Sequence, residues 1–186
     1  EADTRSDSEI KENFYEQAKL LDPFVDFFYF DVLSSVNEFR LGIEAIKNFD
    51  KPYLIGAHIS EGVKLPSGEK ISDVISKIKH KHLLGLILAC VSPENYEQNL
   101  KEIKNLGIPF GFKLNGFLTT KPTSGYTNTF NKSKTGNPNE FLGQREDLNP
   151  ERMAEIAKKF KEAGATILGG CCETRPAHIK EISKLK

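Results

Sequence analysis

The chain has 186 residues, of which 38% are hydrophobic and 28% are charged, an ordinary balance for one globular domain with a sizeable core. Its 26 basic and 26 acidic side chains cancel, so the charge favours neither nucleic acid nor an anionic membrane as a partner. No apolar run approaches the roughly 20 residues of a membrane span, and residues 1–7 lack the layout of a signal peptide. We therefore expect a cytoplasmic protein that acts on a small neutral or zwitterionic molecule.

The first elements of the chain follow a helical pattern and then a strand pattern. Apolar side chains at helical spacing predict a helix over residues 8–21. The run 25–30 is too apolar for a surface strand and too short for a typical helix, which predicts a buried parallel strand. This strand ends at a carboxylate, Asp31, and Ser34 or Ser35 then opens a second helix.

The same strand and helix unit then recurs through the chain. The further predicted strands cover residues 52–60, 83–89, 108–114 and 166–168. The further predicted helices cover residues 71–79, 92–106 and 149–163, with a last helix after Pro176. Two of these starts are strongly marked, because Ser92-Pro93 and Asn149-Pro150 place a capping side chain just before a proline.

One long stretch breaks this pattern. Residues 117–148 are rich in Thr, Ser, Asn, Gly and Pro and form an irregular insertion. A compact domain rarely keeps about 30 irregular residues without a use, so this insertion is predicted to be a lid or an oligomer contact, or to be partly disordered.

Alternating strands and helices predict an α/β fold with a parallel sheet, either doubly wound or part of a (β/α)₈ TIM-type barrel. Polar residues at the carboxyl ends of strands favour the barrel, because barrel enzymes build their sites there. These residues are Asp31, Cys90, Asn115, Cys171 and Cys172. A complete barrel usually needs about 200 residues or more, so residues 1–186 are predicted to form a single domain that is an incomplete barrel.

Two adjacent thiols, Cys171 and Cys172, follow Gly169 and Gly170 at the end of the last predicted strand. Adjacent cysteines are poor disulfide partners, because their Cα atoms lie about 3.8 Å apart whereas relaxed disulfides need about 4.4 to 6.8 Å. If Cys90 meets them on one rim, three thiolates surround one point and leave a fourth place open, which is the pattern of a catalytic zinc. A substrate thiol in that place would be deprotonated at neutral pH and would act as a sulfur nucleophile.

The cysteines and glycines also allow other interpretations. A lone cysteine at the end of a buried strand, as Cys90 is, is more often a packed hydrophobe than a ligand. The pair Cys171 and Cys172 is also compatible with redox chemistry. Gly169 and Gly170 either permit a tight turn or let a ligand approach the backbone.

Two histidines lie near the predicted rim. His58 ends its predicted strand there and has either a polar structural role or a contact with substrate. His178 lies in the first turns of the last helix, where local hydrogen bonding is predicted.

In their order along the chain, these motifs resemble those of the homocysteine S-methyltransferase family. The segment from Gly169 to Ile179 resembles the family signature Gly-Gly-Cys-Cys-Gly-Thr-Thr-Pro-x-His-Ile. Cys90 with Ser92-Pro93-Glu94 resembles its Asn-Cys-x-x-Pro motif, and Asn115-Gly116 resembles its Tyr-Pro-Asn segment. Asp31 resembles the carboxylate of its Glu-Thr strand end. The resemblance covers almost the whole chain.

The resemblance implies a (β/α)₈ barrel of which this chain supplies strands four to eight. It implies zinc held by Cys90, Cys171 and Cys172, and methyl transfer to the thiol of homocysteine to give methionine. The methyl donor is expected to be small, of the S-methylmethionine, S-adenosylmethionine or betaine type. A non-catalytic or truncated zinc-thiolate binding protein of the same fold is the alternative. Because strand edges are left open, we also expect a homo-oligomer or a partner that supplies the N-terminal half of the barrel.

The expected substrate-binding residues are Asp31, Asn115, Gly169 and Gly170, and here the chain departs from the family pattern. Asp31 stands where the family has the Glu that engages the amino group of homocysteine, so its carboxylate reaches about one methylene less far. Lys113-Leu114 stands in place of Tyr-Pro. Around the cysteine pair, Glu173 and Arg175 replace small or hydroxyl residues.

Overall fold

The computed structural model describes residues 4–78, 82–119 and 140–186. Within these ranges five parallel strands form one sheet in chain order. The strands are β1 (Phe28–Leu33), β2 (Tyr53–Ala57), β3 (Leu83–Val91), β4 (Phe110–Leu114) and β5 (Ile167–Gly170). The α-helices are α1 (Asp7–Leu21), α2 (Val36–Ile46), α3 (Ile71–Lys77), α4 (Pro93–Lys104), α5 (Pro150–Glu162) and α6 (Pro176–Ser183). This is the parallel α/β architecture that the strand and helix alternation predicts.

Local capping signals determine where the helices that follow β1, β3 and the insertion begin. The side chain of Ser35 accepts a hydrogen bond from the backbone amide of Glu38, whose carboxylate accepts one from the Ser35 amide, and this capping box starts α2. Ser92 and Asn149 cap α4 and α5, each accepting one hydrogen bond from a backbone amide of the first turn and each just before a proline. These predicted helix starts are confirmed.

One face of the sheet packs against the helices and forms the main hydrophobic core. At β1 the ring of Phe30 meets that of Phe14 from α1 at a centroid distance of 5.7 Å. At β4 three buried rings, Tyr96 of α4, Phe112 of β4 and Phe160 of α5, form what we call the aromatic cluster, with centroids 4.7 to 5.7 Å apart. Such edge-to-face contacts fix β4 between its two flanking helices.

Residues that alternate with these core side chains point to the opposite face of the sheet, which we call the inner face. Lys113 follows Phe112 on β4, and its partners in the neighbouring strands are Ala89 of β3 and Gly169 of β5. Tyr29 precedes Phe30 on β1 in the same way. The inner face therefore carries a lysine at the level where β3 and β5 approach their cysteines.

Two strands are irregular at their carboxyl ends. The pairing of β1 with β2 shifts between Phe30 and Leu33, and that of β3 with β4 shifts between Ala89 and Val91. The residues within these shifts include Val32 and Cys90, which have φ angles of 59° and 55°. The prediction that β1 stops at Asp31 is therefore wrong by two residues, because a bulge carries the strand on to Leu33.

The irregular insertion is described only at its two ends. Residues 120–139 lie outside the described ranges. At the ends, Phe117 pairs with Gln144 in an isolated antiparallel bridge, and Glu140–Leu142 forms a short 3₁₀ helix. Across the described residues, none of the helices has the length and apolar character needed to cross a membrane.

Candidate metal centre

Three thiols from distant parts of the chain meet at the carboxyl end of the sheet. The sulfur atoms of Cys90, Cys171 and Cys172 all lie within 4.8 Å of one another, and all three residues are partly buried. The Sγ atoms of Cys90 and Cys172 are 3.8 Å apart. The predicted meeting of the three cysteines on one rim is confirmed, and sulfur donors so arranged can hold a metal ion.

The backbone places each thiol. Cys90 lies in the bulge of β3, and its left-handed φ turns it out of the regular strand alternation. The Cys171 amide donates to the Leu114 carbonyl at 2.7 Å, and the Gly116 amide donates to the Cys172 carbonyl at 3.0 Å. The cysteine pair is thus attached to the end of β4 on both sides.

Asn115 links β4 to the thiols. Its side chain is buried, with 1% of its surface exposed, and its amide nitrogen donates to the Cys90 carbonyl at 2.7 Å. The same nitrogen lies 3.7 Å from the Cys90 sulfur. Asn115 therefore orients Cys90 and presents a donor to its sulfur, the usual role of a residue that supports a ligand from behind.

The thiols share their protons unequally. The pKa of Cys90 falls to about 3, because the side chains of Cys171 and then Cys172 donate hydrogen bonds to its sulfur. The pKa of Cys172 is raised, because its own hydrogen bonds with Cys171 and Cys90 favour the protonated form. Hydrogen bonds among the three thiols therefore favour a thiolate within the cluster, and the thiolate is the form of cysteine that binds metal.

Asp31 lies on the inner face in an ion pair. Its Oδ2 accepts a hydrogen bond from the Lys113 ammonium at 2.6 Å, across a separation of 82 residues in the chain. The ammonium also lies 5.3 Å from the centre of the Tyr29 ring, within the range of a cation–π contact. Sequence reasoning treated Lys113 only as a departure from a motif and missed Tyr29.

The ring of Tyr29 packs against this ion pair through its contact with the Lys113 ammonium. Its pKa is raised above the ordinary value, first by burial and then by its closeness to Asp31, so the hydroxyl stays protonated. That hydroxyl is buried and has no hydrogen-bond partner among the described residues. A Cβ built on Gly56 would lie 2.5 Å from it, so the glycine leaves room for the phenol.

Gly169 and Gly170 differ in what surrounds them. Neither has a positive φ, so the tight-turn interpretation finds no support in the backbone. A Cβ on Gly170 would lie 2.9 Å from Cβ of Thr174, closer than such atoms approach. A Cβ on Gly169 would meet only the Lys113 side chain and a carbonyl, both at 3.5 Å. Gly170 is thus required by close packing, whereas a methyl group at Gly169 would make only ordinary contacts.

This difference makes a stability prediction. Gly170→Ala is expected to lower the free energy of unfolding by about 1 to 3 kcal/mol, because the new methyl group overpacks against Thr174. Gly169→Ala, the matched control, is expected to change it by less than about 1 kcal/mol. Urea unfolding of both variants measures the difference, and an equal loss in the two would contradict it.

The two histidines have different surroundings. His178 accepts a hydrogen bond from the Arg175 amide at 3.0 Å and contacts the Leu148 carbonyl at 3.0 Å, which confirms the predicted local role. The Nδ1 of His58 lies 3.4 Å from the Ala89 carbonyl. His58 therefore contacts the backbone just before Cys90, in a polar structural role.

Comparison with known proteins identifies the family. The family model described as homocysteine S-methyltransferase matches residues 1–185. The chain belongs to the homocysteine S-methyltransferase family. Homocysteine S-methyltransferase 2 of Saccharomyces cerevisiae is 30% identical over 183 aligned positions, and the match covers 92% of this chain and 49% of that protein. Homocysteine S-methyltransferase 1 of the same yeast is 27% identical over 175 aligned positions, and the match covers 86% of this chain and 47% of that protein.

A solved structure of the same kind shares the fold. The homocysteine methyltransferase MmuM from Escherichia coli, in its apo form, superposes with a TM-score of 0.67 over 95% of this chain and 57% of its own, at 19% identity. The predicted TIM-type fold is thereby confirmed as a five-stranded part of such a barrel. The chain spans about half the length of the curated relatives it matches.

Proposed function

We propose that the protein is a zinc-dependent homocysteine S-methyltransferase in which Cys90, Cys171 and Cys172 hold the metal. The observation that carries the proposal is the sulfur geometry. A tetrahedral zinc with bonds of about 2.3 Å places its sulfur ligands about 3.8 Å apart. The Cys90 and Cys172 sulfurs are separated by 3.8 Å, and all three lie within 4.8 Å of one another. The donor set therefore fits zinc.

Three protein ligands leave one tetrahedral position for a substrate. Among the described residues, the group of possible ligands contains these three cysteines and no His, Asp or Glu. Zinc bound there would lower the pKa of a substrate thiol and supply it as a thiolate. A sulfonium or ammonium donor would then transfer its methyl group to the substrate sulfur and leave as a neutral sulfide or amine, while the thiol proton would pass to solvent.

The chain's own residues orient the thiol acceptor. Asn115 holds Cys90 in place through the Cys90 carbonyl, next to the open coordination position. Asp31 offers a carboxylate on the inner face for the amino group of homocysteine. The donor is expected to be S-methylmethionine, S-adenosylmethionine or betaine.

We further propose that residues 1–186 are one homocysteine-binding domain that corresponds to strands four to eight of an eight-stranded barrel. In the described sheet β1 and β5 are edge strands, and open edges seek partners. Beside β1 a largely apolar cavity of about 460 Å³ opens between Phe14, Leu21, Val25 and Phe27. An upstream barrel half or a second copy would cover this edge. The cytoplasmic location stays a prediction.

The test is zinc content together with methionine formation. The full chain is expected to hold one zinc and to convert homocysteine to methionine with one of the three donors. Stoichiometric zinc with no methyl transfer to any thiol would contradict the enzyme proposal and would favour the non-catalytic zinc-thiolate alternative.

A further inference from the structure

The inner face carries an ion pair, Lys113 with Asp31, of which the proposed function uses only the carboxylate. Lys113 lies between Ala89 and Gly169 in the register of the sheet. Ala89 immediately precedes Cys90, and Gly169 stands two residues before Cys171. The Lys113 side chain therefore leaves the inner face next to the strand positions that come just before the cysteines. This side chain keeps 23% of its surface exposed, so it is not sealed within the core.

The Lys113 ammonium is only partly used by its contacts within the protein. One hydrogen bond goes to Oδ2 of Asp31, and the Tyr29 ring faces the charge at 5.3 Å. An ammonium has three donors, so it can bind a further anion without releasing Asp31. The carboxylate of Asp31 is 42% exposed and can accept from a further cation through its other oxygen.

We infer that Lys113 binds the carboxylate of the thiol substrate while Asp31 accepts its ammonium, so that the pair recognises an α-amino acid by both of its charges. The four charges then alternate in sign around a closed arrangement, and each is attracted by two neighbours. This inference rests on the proposed function, since the thiol end is placed by the metal centre.

The arrangement makes Lys113 a determinant of specificity. A lysine beside Asp31 repels a substrate that offers only an amino group and attracts one that offers a carboxylate. With Asp31 alone the preference would be the reverse. Three thiols separate these cases: homocysteine carries both charged groups, 4-mercaptobutanoate lacks the amino group, and 3-mercaptopropylamine lacks the carboxylate.

Calorimetric titration of the zinc-loaded full chain with these three thiols tests the inference. Lys113→Met is expected to lower the affinity for homocysteine and for 4-mercaptobutanoate by about tenfold or more, since a hydrogen bond between charged groups is lost. Its affinity for 3-mercaptopropylamine is expected to stay the same or rise. Asp31→Asn should have the opposite effect: the affinities for homocysteine and 3-mercaptopropylamine should fall, and the affinity for 4-mercaptobutanoate should stay unchanged.

The matched control is Lys159→Met, which breaks a surface ion pair with Glu97 and should leave all three affinities within about twofold of wild type. Equal weakening of all three thiols by Lys113→Met, or no change in any, overturns the inference while methionine formation by the wild type still supports the proposed function. Selective weakening without any methyl transfer supports the inference and contradicts the enzyme. A wild type with no affinity for any of the thiols overturns both.

Discussion

Replacing Cys90 with alanine is expected to lower the zinc affinity of the protein at least about 100-fold and to abolish methyl transfer. The free energy of zinc binding at a closed structural site is about 10 to 16 kcal/mol, so each of the four ligands contributes about 3 kcal/mol or more. A loss of that size corresponds to a factor of about 100 in the dissociation constant. Competition with a chromophoric chelator measures the affinity, and methionine formation measures the transfer.

The geometry predicts the same result for Cys172→Ala, because its sulfur stands 3.8 Å from that of Cys90 and completes the same triangle. The matched control is the wild-type protein after removal of metal by a chelator. Each variant should have the unfolding free energy of this chelated protein, because both then lack the metal contribution and differ by one thiol. A variant that retains wild-type zinc affinity would show that its cysteine is not a ligand.

The helices and strands of this protein are predictable because their signals are local. Ser92 followed by Pro93 identifies the start of α4 from two adjacent residues, and the capping geometry agrees. The meeting of Cys90 with Cys171 follows from topology, since the carboxyl ends of parallel strands lie along one edge. Neither conclusion requires knowledge of how far the sheet curves.

The bulges and the charge pair depend on contacts that no local pattern reveals. Val32 is β-branched, and such residues favour regular strands and avoid positive φ. Its observed φ of 59° could therefore not be expected from the residue type. Glu173 has a φ of 60° at a place where the family signature has glycine, and it too has no local cause. The ion pair of Lys113 with Asp31 joins residues from β4 and β1, two strands that are not neighbours. Only the three-dimensional curvature of the sheet brings them together.

The aromatic cluster behind β4 supports the second large prediction. Phe112→Ala is expected to lower the free energy of unfolding by about 3 to 5 kcal/mol, because it removes a fully buried ring from between Tyr96 and Phe160. The total free energy of unfolding of such a domain is about 5 to 15 kcal/mol, so this loss is a large part of its stability. Phe112→Leu, which keeps most of the volume, should lose only about 1.5 kcal/mol. Urea unfolding monitored by circular dichroism measures all three proteins.

Phe24→Ala is the matched control, because that ring is 84% exposed and its removal should change the unfolding free energy by about 0.5 kcal/mol or less. Phe112 precedes Lys113 and stands three residues before Asn115, so loosening of β4 also moves the residues that face the thiols. Zinc affinity should therefore fall in Phe112→Ala under conditions where part of the protein is unfolded, and recover when a stabilising osmolyte restores the folded state. A Phe112→Ala protein as stable as Phe24→Ala would show that the aromatic cluster does not hold β4. In that case the position of the metal centre would depend on the backbone hydrogen bonds of Cys171 and Cys172 to the end of β4.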